Sequence, residues 1–414
     1  MALTKNNEAL EAILFGLFVF LVECFGGIYI GPLSPRQYLI ILAAIYMLFH
    51  YKYIVKDKFK PAKILFAYFI YVLFLGFFSD LYTSHTGVIV VFARMLPAIV
   101  VYYFTIAYIK SFKEFKIVIY LMLAIVVIDS IATILQGMNN PLGWAIATVF
   151  SADRASVMEN AYYLDMRGGT SIDNSVTMGM MGTVVANGYF LSSFGLLFIF
   201  PFVVKPNKWT FLISASVFIL VTVALFYNQQ RSAFVIYLVI ALYLWMKLLA
   251  KGKKFGYLFI LAVTALLIIG NMNIGDIELG RFESISTNDL SERNQTFLGY
   301  FSDYFWQNPF LGQYAGYERL HDGVTPHNLF AEATLQGGFV GLIIFSWFLL
   351  KIIADMVKRF SKGTTLSILF IFPVLSIILV SFTHSSGFHT GMSSAITLLA
   401  FYVISKKYED IVVK

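Results

Sequence analysis

Runs of mostly apolar residues recur along the chain, each close to the roughly 20 residues that cross a hydrocarbon layer as a helix. They fall at Ala9–Ile30, Gln37–Val55, Ala62–Phe78, Gly87–Ile109, Ile117–Gly137 and Thr177–Val204, then at Trp209–Tyr227, Ser232–Ala250, Phe255–Asn271, His327–Leu350, Thr364–Phe382 and Gly391–Ile404. The pattern predicts an all-α fold, a polytopic integral membrane helix bundle of about 12 transmembrane helices forming a single transmembrane domain over 1–414. Most connectors are short. Two are long, 139–176 and 271–326, the latter a large loop between helices nine and ten. Within it Phe297, Phe301, Tyr304 and Phe305 recur at helical spacing, so this loop is expected to be partly helical, with Arg293 near the start of the helix.

Composition agrees with the pattern: 59% hydrophobic and 13% charged residues lie far from the soluble average of about half and about a quarter. The first run has only Lys5 ahead of it, exceeds a signal-peptide core and ends at Gly26-Gly27 without a small-residue cleavage site, so it is expected to stay as the first helix. The single cysteine, Cys24, lies inside that run and offers neither a disulfide framework nor a thiolate metal site.

Orientation follows from the basic residues, which concentrate in cytoplasmic connectors. Of the chain's 30 lysines and arginines, 22 fall on one side of the alternating pattern and 7 on the other, with Arg94 inside the fourth run. Both termini are therefore expected in the cytoplasm (N-in, C-in), with both long loops outside. The cytoplasmic set is lysine throughout, except Arg359, whereas the other side carries only arginine: Arg36, Arg154, Arg167, Arg231, Arg281, Arg293 and Arg319. Topology asks only for positive charge. Arginine adds a planar fork of donors that grips phosphate at two points, so the outer face reads as an anion site, against the plainer alternative of loop salt bridges to Asp153, Asp165, Glu283 or Glu292. The net charge of +7 reflects the cytoplasmic lysines and does not point to nucleic acid.

The loops also carry candidate chemistry. Asp165-Met166-Arg167-Gly168-Gly169-Thr170 precedes the sixth run, and Glu278-Leu279-Gly280-Arg281-Phe282 and Ser291-Glu292-Arg293 lie in the large loop. That loop ends with Asn308-Pro309-Phe310-Leu311-Gly312, then Arg319, His321 and Pro326-His327-Asn328-Leu329-Phe330-Ala331-Glu332. His327 opens the tenth run at the outer mouth of the bundle, where an imidazole can take a proton near neutral pH; an interfacial or capping histidine is the other reading.

These segments resemble the bacterial O-antigen ligase and O-antigen (capsule) polymerase superfamily of polytopic glycosyltransferases. Arg167-Gly168-Gly169-Thr170 is similar to its Arg-x-x-Gly stretch, Asn228-Gln229-Gln230-Arg231-Ser232-Ala233 to its arginine turn, and Ser291-Glu292-Arg293 to its loop arginine. Asn308-Pro309-Phe310-Leu311-Gly312 and His327-Asn328-x-x-x-Glu332 are the most specific matches, although Gln313-Tyr314-Ala315-Gly316 replaces the commoner Gly-x-Gly.

The resemblance implies that Arg167, Arg231 and Arg293, joined by Arg281, hold the pyrophosphate of an undecaprenyl-linked sugar, and that His327 is the catalytic base. Asn328, Glu332, Arg319 and His321 are candidate acceptor-side residues. The expected reaction is an inverting glycosyl transfer without metal or cofactor, at the periplasmic face of the bacterial inner membrane. Its expected partners are lipid-linked oligosaccharide, membrane lipid, a chain-length regulator and a flippase. The aromatic, lysine-rich character and the Asn-Pro-Phe-Leu-Gly loop favour the polymerase branch; a ligase transferring glycan to lipid A-core shares the donor chemistry.

Two other classes stay open. A transporter or flippase would place ionisable residues inside the helices, as Glu23, Arg94 and Asp129 are. A metal hydrolase would draw on His85, His321, His384, His389, Asp303 and Asp322, but their spacing matches no standard ligand motif.

Overall fold

The computed structural model describes residues 13–18, 35–50, 52, 58–78, 94–138, 140–150, 177–181, 183–249, 305–313, 328–384 and 387–409. Among the described residues, 86% are helical and none lies in a strand. Hydrocarbon offers no hydrogen-bond partner to a peptide group, so an apolar segment that enters it must satisfy its own backbone, and a helix does so within one segment.

The helices are α1 (Pro35–Phe49), α2 (Lys60–Phe78), α3 (Leu96–Tyr108), α4 (Phe112–Gly137), α5 (Pro141–Phe150), α6 (Val184–Phe194), α7 (Phe200–Val204), α8 (Lys208–Asn228), α9 (Arg231–Leu249), α10 (Leu329–Lys362), α11 (Thr365–Ser381) and α12 (Ser393–Ser405). A 3-10 segment, Gly195–Ile199, joins α6 to α7. Five stretches among the described residues are long and apolar enough to cross a membrane: Lys60–Phe77, Phe112–Gly137, Val184–Val204, Lys208–Asn228 and Leu329–Lys362. Large apolar side chains such as Leu48, Phe49, Phe74 and Leu350 stand exposed on these and neighbouring helices, where lipid rather than water suits them. The protein is a helical, membrane-embedded protein.

The chain divides into two compact units. Unit one draws on Met1–Glu23, Pro35–Val118 and Ser286–Lys414, and unit two on Cys24–Ser34 and Ile119–Ile285. In unit one α2 runs along α10, α3 packs on both α1 and α12, and α11 packs on α12. Rings of Phe15, Tyr46, Phe104 and Tyr108 pack between the residue 13–18 helix, α1 and α3. The start of α4 is set by a capping box: Ser111 Oγ accepts from the Glu114 N–H at 3.2 Å, and the Glu114 carboxylate accepts from the Ser111 N–H at 3.1 Å. Burial, reinforced by the nearby Glu114 carboxylate, pushes the Tyr408 phenol up from its ordinary value.

Arg359 explains the one arginine in the otherwise lysine set. It is buried; its Nε donates to Glu409 at 2.8 Å, Nη1 to the Tyr402 carbonyl at 2.8 Å and Nη2 to Ser405 Oγ at 3.0 Å, and its plane lies 4.1 Å from the Tyr402 ring. A lysine could not fill that fork.

In unit two the α6, 3-10 and α7 run is buried on nearly every side, as expected for an apolar helix with no polar face. Phe198, Phe211 and Phe218 surround Trp245 of α9. Asn207 caps α8 by accepting from the N–H groups of Trp209 and Thr210, both at 2.9 Å.

Three segments depart from the expected pattern. The 139–176 connector begins with a helix, α5, whose ten mostly apolar residues span only about 15 Å. Asn140 Oδ1 accepts from the Leu142 N–H at 3.0 Å, and Pro141 takes the first helical position, where its missing donor costs nothing. The expected helix Thr177–Val204 starts only at Val184, because the amides of Met178, Gly179 and Met180 are taken by side chains of α4. The expected helix His327–Leu350 runs on to Lys362 and is broken at Gly338. The expected run Phe255–Asn271 and most of Ala9–Ile30 lie outside the described residues.

Candidate functional site

In unit one the Asn308-to-Gly312 segment docks on the helix that the Asn328-to-Glu332 segment opens. Asn308 to Gly312 form a tight turn closed by the Gly312 N–H donating to the Asn308 carbonyl at 2.8 Å. This turn sits in the break of α10, where Gly338 has φ 61° and ψ −159°, a conformation open essentially only to glycine.

The hydrogen bonds are exchanged across the break. In an unbroken helix the Phe339 N–H would donate to the Leu335 carbonyl; here it donates to Pro309 at 2.8 Å, and the Leu335 carbonyl accepts from the Gln313 N–H at 2.5 Å. The Tyr71 hydroxyl of α2 donates to the Gly337 carbonyl at 3.1 Å, so the interrupted backbone is satisfied. Neither Gly312 nor Gly338 can carry a side chain: a Cβ on Gly312 would strike the Gly338 nitrogen, and one on Gly338 would strike the Phe310 carbonyl. Phe305 and Phe310 pack their rings on Phe339 to complete the joint.

The Asn328-to-Glu332 turn opens α10, six to ten residues before the break. Asn328 Oδ1 accepts from the Phe330 and Ala331 N–H groups at 2.9 and 3.3 Å, so this side chain caps α10. Glu332 is fully buried in the first turns of the helix, where the helix dipole favours a negative charge. Its carboxylate acts electrostatically on the phenol of Tyr68, which in turn donates to Gln336 Oε1 at 2.9 Å. His327, Arg293, Arg281, Arg319 and His321 lie outside the described residues, as does Arg167.

Unit two holds the arginine turn. α8 ends at Asn228, Gln229 takes the left-handed conformation at φ 59°, and Arg231 opens α9. Arg231 is half-buried. A cation at a helix N-terminus opposes the helix dipole, and both the guanidinium and the positive end of that dipole favour an anion. The turn is held from below, with Asn228 Nδ2 donating to the Thr177 carbonyl at 2.8 Å and Thr177 Oγ1 donating to the Tyr227 carbonyl at 2.8 Å.

Sequence reasoning quoted Asn228 and Gln230 and flagged Asp129, but missed the break at Gly338 and the roles of Tyr68, Tyr71 and Gln336. The adjacent pair Gly337-Gly338 inside an apolar run was the available signal for the break, since glycine is costly in a helix interior. Comparison with protein-family models and with curated proteins gives no match to this chain.

Proposed function

We propose that the protein is a membrane glycosyltransferase that polymerises undecaprenyl-pyrophosphate-linked oligosaccharide repeat units at the outer face of a bacterial inner membrane. The observation that carries this reading is the joint in α10. Asn308–Gly312 and Asn328–Glu332, the segments most like the O-antigen polymerase and ligase superfamily, are tied to one broken helix: the first docks in its break and the second opens it. Broken helices are tolerated in membranes where they are buried in protein or line a polar cavity, which suits a site for a polar headgroup. The twelve-span, N-in and C-in arrangement belongs to the same proposal, since it gathers Arg167, Arg231, Arg281 and Arg293 on the face where the lipid pyrophosphate would lie.

The chemistry follows. As the pyrophosphate leaves the anomeric carbon its negative charge grows, and fixed guanidinium groups stabilise that charge more in the transition state than in the ground state. The acceptor hydroxyl is a weak nucleophile, and His327 takes its proton as it attacks from the opposite face, giving inversion without a covalent intermediate. Asn328 caps the helix that follows His327, and Asn328 and Glu332 are the candidate acceptor-side residues. A ligase would use the same donor with lipid A-core as acceptor. Transport is a second reading favoured by one observation, the buried carboxylate of Asp129 within a spanning helix.

Deletion of the gene in its native host, followed by electrophoresis of the surface glycan, tests the proposal. Loss of the ladder with a single repeat unit on lipid A-core supports the polymerase. Loss of all glycan from the core, with long lipid-linked polymer accumulating, indicates the ligase, and an unchanged ladder overturns both. In complementation, His327→Ala and Arg231→Ala are expected to give no polymer at normal membrane abundance. Arg231→Lys tests the fork itself, because it keeps the charge and loses the two-point grip.

A further inference from the structure

Unit two contains a second polar group that the proposed transfer does not use. Asp129 lies eight residues before the end of α4, about 12 Å along the helix, and is fully buried. Its Oδ1 accepts from the Met180 N–H at 2.7 Å, while Oδ2 has no hydrogen-bond partner.

Asn187 of α6 is also fully buried, and its orientation is fixed by its neighbours. The Thr133 hydroxyl spends its one hydrogen on the Asp129 carbonyl at 2.8 Å, so towards Asn187 it can only accept, which it does from Nδ2 at 2.9 Å. The amide oxygen of Asn187 therefore faces the other way, and it too is unpartnered.

The oxygens of Asp129 and Asn187 converge. The place that a Cβ of Gly179 would occupy is filled by Asp129 Oδ1, with Asn187 Oδ1 2.6 Å and Thr133 Oγ1 2.8 Å away. Beside Asn187, the Cβ place of Gly188 is filled by Gln230 Oε1, with Asn228 Oδ1 2.9 Å away, and both of those atoms are unpartnered as well. Only a residue without a side chain lets the oxygens approach at each point.

Buried polar atoms in native proteins are almost always satisfied, and each orphan costs about 1–3 kcal/mol, more when it is charged. Gln230 Nε2 is unpartnered too, so an end-for-end turn of that amide serves Asn228 Oδ1; Asp129 Oδ2 and Asn187 Oδ1 remain as two acceptors that carry a single negative charge. What completes that pair is positive and fits oxygen ligands: a proton on Asp129, or a cation of one unit charge. Carboxylate and amide oxygens are hard ligands suited to alkali and alkaline-earth cations, and a divalent ion would leave an uncompensated charge beside one carboxylate.

We propose that this pair binds one sodium ion, ligated by Asp129 Oδ2 and Asn187 Oδ1. The ion would tie α4 to α6. The inference stands whether or not the protein is a glycosyltransferase, because its test is binding rather than activity.

The purified full-length chain in detergent is equilibrated with radioactive sodium, and its thermal unfolding is followed in sodium, potassium and choline chloride at fixed ionic strength. The expected result is saturable binding of one sodium per chain and a higher melting temperature in sodium than in either other salt. Asp129→Asn and Asn187→Ser are each expected to weaken binding at least about tenfold and to remove the sodium-specific shift. Absence of saturable binding in the unaltered chain overturns the proposal without recourse to any variant. Equal or greater stabilisation by potassium or choline, or sodium binding that survives in a folded variant, overturns it too.

Discussion

Arg359 and Asp129 are both charged, both buried and both placed in apolar helices, yet their surroundings are opposite in kind. Around Arg359, Glu409 supplies the countercharge, while the Tyr402 carbonyl and Ser405 hydroxyl take up the remaining directions of the fork. Around Asp129, one oxygen is held by a backbone amide and the other has no hydrogen-bond partner. A closed network of this kind rigidifies a structure and leaves nothing to bind, whereas an open network of one sign is a socket. The lesson is that buried charge alone does not mark function; the balance of donors and acceptors around it does.

Substitutions can break or sharpen this contrast. Arg359→Ala strips the countercharge from Glu409 and should cost about 3–5 kcal/mol, read as a lower melting temperature in detergent and reduced membrane abundance. Gly338→Ala tests a joint closed by backbone rather than charge; its conformation and the blocked Cβ position should cost about 3 kcal/mol and disperse the 305–313 turn. Protease sensitivity of that segment reports the loss. Asn328→Ala removes only a cap and should cost about 1 kcal/mol by thermal unfolding. Asp129→Asn should have the smallest effect and the opposite sign. In choline chloride, replacing a carboxylate that lacks its countercharge by a neutral amide should leave stability unchanged or raise it by about 1 kcal/mol. Destabilisation as large as that of Arg359→Ala would make Asp129 structural and erase the contrast.

The spans were legible because lipid imposes a one-dimensional code of apolar length, and α2, α4, α8, α9 and α11 lie within a few residues of their expected ends. What was not legible depends on partners remote in sequence. Thr177–Met181 reads as the start of a helix, but Gln136 and Asp129 from α4 claim its amides. His327–Leu350 reads as one helix, but the loop more than 20 residues upstream supplies the hydrogen bonds that its break requires. Asp129 stood out as an ionisable residue in an apolar run, whereas the approach of Asn187 to it depends on how α4 and α6 pack. Arg359 was visible only as an exception to a lysine pattern, and the structure turns that exception into a partner for Glu409.

The broken helix also bears on how the chain is made. While the ribosome is still adding α11, the segment from Phe339 onward can partition into lipid as a self-sufficient helix of about 36 Å. The short piece before Gly338 cannot, because the Leu335 carbonyl and Phe339 amide find their partners only in the 305–313 turn. Biogenesis should therefore proceed in two stages, lateral release of the long helix from the translocon and then late docking of the turn. The interval between them is when this protein is most exposed to membrane quality-control proteases.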